Sequence, residues 1–391
     1  MKRDLIFVIS ILFTLTCCNS KNNSIHSYEN SISSRNFEFK KIDSKIFPLD
    51  STTTGGNNNF QYIEGEGKNL IAYLNKNQNT LIFYDYKNEK LDFKLRMEIE
   101  GPNGVGNISG FLVNSLDSIF VYSYRSAWLY HINRFGKIVN MYDFKNSGKG
   151  FISRPYISGN QPIMKRGDFL FLNNWGSQRE YYRNKDYPES LLAKINLTKN
   201  EINYEFSYPE IYSTGVWGMQ LHVMYNTINP LTSEIILGFP IDDYIYVLKD
   251  GEFEKYRQGS KYFEGVNPLS TKSRINAPPP KMEVHNERVQ STYRTIHFDP
   301  YNQIYMRVVY KPISEEILAL NDPILSVFPK ASLLILDNEF NKIGEVDFDN
   351  HNYWINNIFV NENGIHIMKM DFVNEDILTF DVFKFELDGK Y

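Results

Sequence analysis

The chain has 391 residues and a formal net charge of −4 at pH 7, with 42 Lys and Arg against 46 Asp and Glu. This mildly acidic balance argues against a nucleic-acid partner, because nucleic-acid binding needs a dense basic surface. Both cysteines, Cys17 and Cys18, lie near the N-terminus. The rest of the chain therefore has no thiol for a disulfide, a Cys-ligated metal or a Cys nucleophile.

The first seventeen residues predict a lipoprotein signal peptide. Lys2 and Arg3 precede an apolar run over residues 5–14, which is too short for a permanent bilayer span. The sequence Leu-Thr-Cys-Cys that follows resembles a lipobox with Cys18 as the lipidated residue. Cys17 as acceptor fits this pattern less well, and the alternative to a signal peptide is a small buried helix with two ordinary cysteines. We predict a signal peptide over residues 1–17 and a lipid anchor at Cys18.

Residues 18–35 are rich in Ser and Asn and lack a periodic apolar pattern, so they predict a flexible tether. A random coil of this length spans on the order of 20–25 Å, which would lift a domain off the membrane surface. Asn19, which follows the lipidated cysteine, does not indicate retention in the inner membrane. We therefore expect attachment through lipid alone, at the outer membrane of the cell envelope.

From residue 36 onward, short apolar runs alternate with turns rich in Asn, Asp, Gly and Lys, which is the pattern of strands and turns. Sets of three runs recur with a period of roughly 50–65 residues, in the range of propeller blades. The sets are 69–74, 80–86 and 90–97; 118–124, 127–133 and 137–144; 169–174, 191–197 and 201–208; 234–239, 244–249 and 252–256; and 303–310, 332–337 and 342–348. Further strands are expected before most sets, at 108–113, 220–225, 293–298 and 355–360.

The last unit, with runs at 364–372 and 377–387, lacks an outer strand, whereas residues 36–42 form a strand without a unit. If the N-terminal strand supplies the missing one, the ring closes without an open sheet edge. We therefore predict an all-β, six-bladed propeller over residues 36–391, closed by the N-terminal strand. A two-sheet sandwich and a seven-bladed ring are the alternatives, and the best helical candidate is 314–320.

The long insertions, at 173–190, 260–290 and 311–330, all fall on one face of the predicted ring. Long loops on a rigid scaffold commonly carry function, so we interpret this face as a binding surface. Neutral drift of surface loops is the alternative. The predicted ligand-binding residues of these insertions are aromatic or basic: Trp175, Arg179, Tyr182, Arg183 and Tyr262.

Motifs for catalysis and metal binding are mostly missing from the sequence. There is no nucleophile elbow, P-loop or dinucleotide fingerprint, and we predict no cofactor. Glu283, His285 and Glu287 alternate, so an extended segment would project all three to one side as a metal site. A solvated charged loop is the preferred interpretation. His222, on the strand expected at 220–225, would point into the core or toward the central channel.

The layout resembles the six-bladed β-propeller lipoproteins of Bacteroides-type bacteria, and most closely the family called domain of unknown function 4221. The resemblance rests on the Cys-Cys end of the lipobox, the composition rich in Asn, Lys and Ile, and the stretch 293–310, YRTIHFDPYNQIYMRVVY. It covers about residues 36–391. It implies a propeller and an envelope location, and it carries no activity.

Three functions compete. The first is a non-catalytic binding module, attached to the membrane through its lipid, whose long-loop face takes a glycan, a peptide or an envelope protein. The second is a hydrolase or lyase acting on polysaccharide through residues at the channel mouth. The third is a structural subunit of an envelope complex. Residues expected at the channel mouth are His222, Tyr262, Arg294, His297 and Arg307.

Overall fold

The computed structural model describes residues 36–53, 59–65, 67–145, 153–175, 191–272, 274–320, 329–348, 351–370 and 376–387. Within these ranges the strands form six antiparallel sheets, in a six-bladed β-propeller arrangement. This confirms the all-β class and the count of six units, against the sandwich and the seven-bladed ring.

Each of the first five blades runs from an inner to an outer strand in chain order. Blades 1 to 3 are β2 (Phe60–Ile63), β3 (Leu70–Asn75), β4 (Thr80–Asp85) and β5 (Lys90–Arg96); β6 (Gly110–Ser115), β7 (Ser118–Ser123), β8 (Trp128–Ile132) and β9 (Ile138–Asp143); and β10 (Arg154–Pro155), β11 (Met164–Arg166), β12 (Phe169–Trp175), β13 (Leu192–Asn196) and β14 (Glu201–Glu205). Blades 4 to 6 are β15 (Tyr225–Ile228), β16 (Ile235–Gly238), β17 (Tyr244–Lys249) and β18 (Glu252–Arg257); β19 (Thr292–Asp299), β20 (Ile304–Tyr310), β21 (Ala331–Leu336) and β22 (Lys342–Phe348); and β23 (Tyr353–Asn361), β24 (Gly364–Lys369) and β25 (Ile377–Leu387).

The sixth blade carries β1 (Phe37–Pro48) as its outer strand. β1 pairs antiparallel with β25, from Phe37 opposite Leu387 to Pro48 opposite Ile377. This strand is longer than the segment 36–42 expected from the sequence. The first and last described strands of the chain therefore belong to one sheet.

The middle strands hold the core. β3, β4 and β21 are buried at every position, whereas outer strands such as β5 expose most of their side chains. A strand covered on both faces by neighbouring blades reads as an unbroken apolar run, while an outer strand can expose polar residues. This explains why the first and second runs of each set are more apolar than the third, which forms the outer strand.

Helices are few among the described residues. α2 (Glu315–Ala319) begins at Ser314, whose side chain accepts a hydrogen bond from the backbone of Ile317, and it confirms the helix expected at 314–320. α1 (Pro280–Arg288) was missed by the sequence analysis, although a proline fits the first turn of a helix without loss of a hydrogen bond. No helix in the described part of the chain is both long enough and apolar enough to span a membrane.

Two faces of the ring differ in their connections. Inner strands join second strands, and third strands join outer strands, by short turns on what we call the tight-turn face. The other connections lie on the opposite, long-loop face. The strand ends that flank the long connections lie there, for β12 and β13, β14 and β15, β18 and β19, and β20 and β21. The described residues thus follow the loop segregation predicted from the sequence.

Candidate functional site

The inner strands are irregular near the long-loop face, where each of them begins. β19 has a bulge between Tyr293 and Ile296, and β23 has an irregularity between Tyr353 and Ile358. In blade 3 the inner strand is split into β10 and β11. Bulges re-aim side chains and are frequent beside functional sites. The mouth of the channel on this face is therefore where the regular blade geometry gives way to specific side-chain contacts.

The bulge of β19 places Arg294 in a buried polar contact. Its Nη2 donates to Oε1 of Glu287 in α1, and its Nη1 donates to the Tyr225 hydroxyl at 3.3 Å. Its guanidinium also lies 4.6 Å from the ring centroid of Tyr310. Arg294 is 5% exposed and Glu287 is 7% exposed. The pair therefore ties α1, in the connection between β18 and β19, to the inner strands of blades 4 and 5.

Electrostatics at this pair favour the charged arginine. Burial by itself lowers the pKa of Arg294, but the Glu287 carboxylate outweighs burial and holds that pKa above its usual value. Burial raises the pKa of the Tyr310 hydroxyl. The Nε atom of Arg294 is buried and has no hydrogen-bond partner among the described residues.

Tyr310 links this contact to blade 6. Its hydroxyl accepts a hydrogen bond of 2.6 Å from Nδ2 of Asn356, and Oδ1 of Asn356 accepts one of 3.2 Å from the Thr295 hydroxyl. Asn356 lies in the irregular part of β23, and Thr295 lies in the bulge of β19. Side chains of the two irregular regions are therefore joined across blades 5 and 6.

Toward blade 2, the side chains at the channel mouth are exposed to solvent. Tyr156 is 40% exposed, and burial, Tyr124 and Tyr225 together raise the pKa of its hydroxyl. Tyr124 is 44% exposed, and the guanidinium of Arg154 lies 5.7 Å from its ring centroid. The Nη1 atom of Arg154 donates to the backbone oxygens of Tyr124 at 2.9 Å and Arg125 at 3.3 Å.

These residues form one arc around the channel mouth, from blade 2 to blade 5. We call it the mouth arc. Its members are Tyr124, Arg154, Tyr156, Tyr225, Arg294 and Tyr310. The arc is exposed at its blade 2 end and buried at its blade 5 end.

Amide side chains hold the blades together beneath the arc. Asn173 donates to the backbone oxygen of Met224 and, at 2.9 Å, to Oδ1 of Asn226. Asn226 in turn donates to the backbone oxygen of Pro162, and Gln161 donates to that of Met224, both at 2.9 Å. Buried hydrogen-bonded amides fix the spacing of blades 3 and 4, so the arc residues of these two blades, Arg154, Tyr156 and Tyr225, rest on a rigid base.

Comparison with known proteins defines the family. The model of the family described as Domain of unknown function (DUF4221) matches residues 34–347, which is more than half of the chain. The chain belongs to the DUF4221 family. A DUF4221 member from Bacteroides vulgatus has a solved structure that superposes with a TM-score of 0.75 at 21% identity, covering 90% of this chain and 99% of that one. The resemblance inferred from the sequence is confirmed.

Two further solved structures are more distant from this DUF4221 protein. A candidate exported protein of Bacteroides fragilis has a TM-score of 0.51 at 13% identity, covering 93% of this chain and 98% of that one. A virginiamycin B lyase of Staphylococcus aureus has a TM-score of 0.43 at 11% identity, covering 90% of this chain and 100% of that one. At these identities the likeness concerns the fold alone, and the lyase adds no argument about activity. None of the curated proteins matches the chain.

Of the site residues predicted from the sequence, Arg294 belongs to the mouth arc of the DUF4221 protein. His297 lies three residues further along β19, with a buried Nε2 that has no partner among the described residues. Burial lowers the pKa of His297 to about 4. The imidazole is therefore neutral at pH 7.

His222 does not lie on a strand. The strand expected at 220–225 is instead β15 (Tyr225–Ile228), and His222 ends a 3-10 helix over Met219–His222. Its Nδ1 lies 2.5 Å from the Gly218 oxygen, and burial lowers its pKa to about 4. Of the two orientations predicted for this side chain, the structure has the one in the core.

Arg307 and Tyr262 lie away from the channel mouth. Arg307 is completely buried between blades 4 and 5. Tyr262 donates its hydroxyl to Oδ1 of Asp347 on the outer strand β22, and its ring lies under the ammonium groups of Lys261 and Lys311. The expectation that both line the mouth was wrong, because one faces an interblade core and the other packs on the rim.

The remaining predicted residues are outside the described part of the structure. For Trp175 only the backbone is described, as the last residue of β12. Cys18, Arg179, Tyr182 and Arg183 fall outside the described residues.

The alternating Glu283, His285 and Glu287 do not share a side, because α1 is a helix and not an extended segment. Glu283 and Glu287 are four residues apart, so they lie on one face and are buried. His285 lies away from them, 3.2 Å from Glu315. Among the described residues, no group of three His, Cys, Asp or Glu is placed to hold a metal ion.

Sequence reasoning missed the four tyrosines of the mouth arc. Each stands at a boundary between a strand and the long-loop face: Tyr124 after β7, Tyr156 after β10, Tyr225 at the start of β15 and Tyr310 at the end of β20. A search for aromatic residues at these boundaries, rather than inside the insertions, would have found them.

Proposed function

We propose that this DUF4221 protein is a non-catalytic binding module of the cell envelope, and that its ligand is held on the mouth arc. The observation that carries the proposal is the continuity of the arc. Two exposed tyrosines, Tyr124 and Tyr156, lie near Tyr225. The Tyr225 hydroxyl accepts a hydrogen bond from Arg294, which is buried in contact with Glu287 and Tyr310.

Physical reasons support binding at this place. Tyrosine rings offer a large contact area with few rotatable bonds, so little conformational entropy is lost when a ligand covers them. The amides beneath them and the buried ion pair beside them hold the surface in one geometry before a ligand arrives, which reduces the cost of binding.

The proposal includes the cellular address. A signal peptide over residues 1–17, a lipid on Cys18 and a tether to residue 35 would attach the propeller domain, residues 36–391, to the outer membrane. The name of the Bacteroides fragilis neighbour as a candidate exported protein supports this address. The pairing of β1 with β25 supports the idea that the N-terminal strand also closes the ring.

The lipid anchor is tested by metabolic labelling with a palmitate analogue in a Bacteroides host. The Cys18→Ser chain should lose label and should leave the membrane fraction, because the acceptor thiol is gone. Cys17→Ser is the matched control, since it removes the neighbouring thiol and should keep the label. Label that follows Cys17 instead would overturn the assignment of the anchor.

The binding function is tested by thermal unfolding of the full chain in mild detergent against a panel of neutral and acidic oligosaccharides and peptides. A ligand at about 100 times its Kd adds roughly 2.7 kcal/mol to the free energy of unfolding, which should raise the Tm by a few degrees. The Tyr124→Ala, Tyr156→Ala double variant should lose this increase.

Phe135→Ala is the matched control, because Phe135 is an aromatic residue, 76% exposed, in the β8–β9 turn of the tight-turn face. This variant should keep the full increase in Tm. Binding that survives in the double variant, or that disappears in the control, would refute the mouth arc as the site. A panel without any binder would refute the small-ligand function.

A further inference from the structure

We infer that the ligand of the mouth arc is an acidic saccharide. Its carboxylate is bound by Arg154 and Arg125, and its ring packs on Tyr156 and Tyr124. This inference rests on the proposed function and adds the chemical class of the ligand. It concerns the exposed end of the arc, where a ligand can reach the side chains.

The first argument is charge. The turn 124–127 and the inner stretch 153–163, which carry the exposed tyrosines, contain two arginines and no acidic residue. Arg125 is exposed, and the hydrogen bonds of Arg154 among the described residues use Nη1 alone. Nε and Nη2 of Arg154 are then the fork that binds a carboxylate through two parallel hydrogen bonds.

The second argument is the match of donors and acceptors. The two arginines need an acceptor, which a carboxylate supplies, and tyrosine hydroxyls such as those of Tyr124 and Tyr156 can donate to and accept from sugar hydroxyls. The rings of the same two tyrosines suit the apolar face of a sugar ring. A uronic acid combines all three features in one residue.

The buried end of the arc does not offer a free arginine to a ligand. Glu287 already neutralises Arg294, which leaves Arg154 and Arg125 as the arginines of the arc and its rim that face solvent. A ligand carboxylate is therefore expected at the blade 2 to blade 3 side of the mouth, above the amides that join blades 3 and 4.

The test measures the affinity of the full chain in detergent for matched pairs of saccharides. The probes are oligogalacturonate, an alginate trisaccharide and a hyaluronan tetrasaccharide, each beside its carboxyl-reduced neutral form. At least one acidic member should bind tenfold or more tightly than its neutral form, a difference of about 1.4 kcal/mol. The preference should shrink as salt rises, because the contact is electrostatic and partly exposed.

Variants then assign the preference to residues. Arg125→Gln and Arg154→Gln should each reduce the preference for the acidic form, and Arg154→Lys should keep part of it because the charge remains. Arg134→Gln is the matched control, since Arg134 is an exposed arginine paired with Asp117 on the tight-turn face. Because Arg154 also holds the turn at residue 124, the exposed Arg125 keeps the test valid if Arg154→Gln fails to fold.

The outcomes separate the two proposals. Equal binding of acidic and neutral forms, lost in the Tyr124→Ala, Tyr156→Ala variant, would overturn the acidic class and leave the binding function standing. If hexaglutamate bound as tightly as the best saccharide, the saccharide class would be overturned, because binding would then depend on negative charge alone. No binding by any pair would overturn this inference, and a neutral or peptide hit elsewhere in the broader panel would still support the binding function.

Discussion

Two buried arginines of one hairpin, Arg294 on β19 and Arg307 on β20, have opposite surroundings. Arg294 reaches the channel mouth and meets a carboxylate, that of Glu287. Arg307 points into the interblade core, where its guanidinium lies 3.7 Å from the ring centroid of Tyr293 and its Nη2 donates to the backbone oxygens of Phe239 and Asp242. One arginine therefore belongs to a polar mouth and the other to the packing of two blades.

The close fit of Arg307 depends on a glycine. A Cβ added at Gly238 would lie 2.7 Å from Cδ1 of Ile296 and 3.3 Å from Nη2 of Arg307, so a larger residue there would displace the end of Ile296 and press on the guanidinium. The Nε and Nη1 atoms of Arg307 have no hydrogen-bond partner among the described residues, and burial lowers its pKa. The guanidinium of Arg307 is held by the Tyr293 ring and by the backbone oxygens of Phe239 and Asp242.

The bulge in β19 explains why the two differ. In a regular strand alternate side chains face the same side, and a shift of one residue exchanges the faces. Tyr293, Ile296 and Phe298 all pack in the core between blades 4 and 5, which is only compatible with the irregularity at residues 294 and 295. The bulge therefore releases Arg294 toward the mouth, while the regular strand β20 keeps Arg307 in the core.

The largest expected effect comes from breaking the buried pair. Arg294→Met should lower the free energy of unfolding by about 3–5 kcal/mol, because it leaves the Glu287 carboxylate buried without its counter-ion. Denaturation in urea measures this loss. The Arg294→Met, Glu287→Leu double variant should recover most of it, and a double variant as unstable as the single one would contradict the pairing.

Arg307→Met should lower the free energy of unfolding by less, about 2–3 kcal/mol. It leaves two buried carbonyl oxygens without donors, but it does not leave a hydrogen-bonded carboxylate without its counter-ion. Removing the nearby carboxylate by Asp242→Asn should bring no recovery, since that group is bonded by the Tyr246 hydroxyl and the Tyr244 amide. Recovery in this double variant would mean that Arg307 is held by charge in the same way as Arg294.

The smallest expected effect concerns pH and His297, which lies on the strand of Arg294 but deeper. Its pKa is about 4 in the folded protein, below the usual 6.5, so the unfolded chain binds the proton more readily. The stability from this group is complete above pH 6.5 and is lost as pH falls toward 4. His297→Gln should reduce the loss between pH 6.5 and 5 by on the order of 1 kcal/mol, measured by urea denaturation at each pH.

His285→Gln is the control for that experiment, because His285 is exposed on α1 and contacts only the rim residue Glu315 among the described acidic groups. It should leave the pH profile unchanged. A profile that His297→Gln leaves unchanged as well would show that the His297 imidazole is not held in its neutral form by burial.

The sequence was sufficient for the repeat but not for the site. Strand alternation and turn residues predicted β22 and β25 with their observed bounds, because local chemistry decides where a strand begins and ends. It failed at 220–225 and 280–288, where tertiary contacts of His222 and Glu283 favour helical turns. Arg294 and Arg307 both lie in the stretch 293–310, and both were predicted to line the channel mouth. Their different positions result from the bulge in β19, which depends on packing against blade 4.

The most direct test of the account is hydrogen exchange of the full chain with and without the saccharide that stabilises it most. Binding on the mouth arc predicts slower exchange in residues 124–127 and 153–163 and unchanged exchange in the tight turns 133–137 and 299–303. Protection confined to those tight turns, with the mouth unchanged, would contradict the central claim that the long-loop mouth is the binding site.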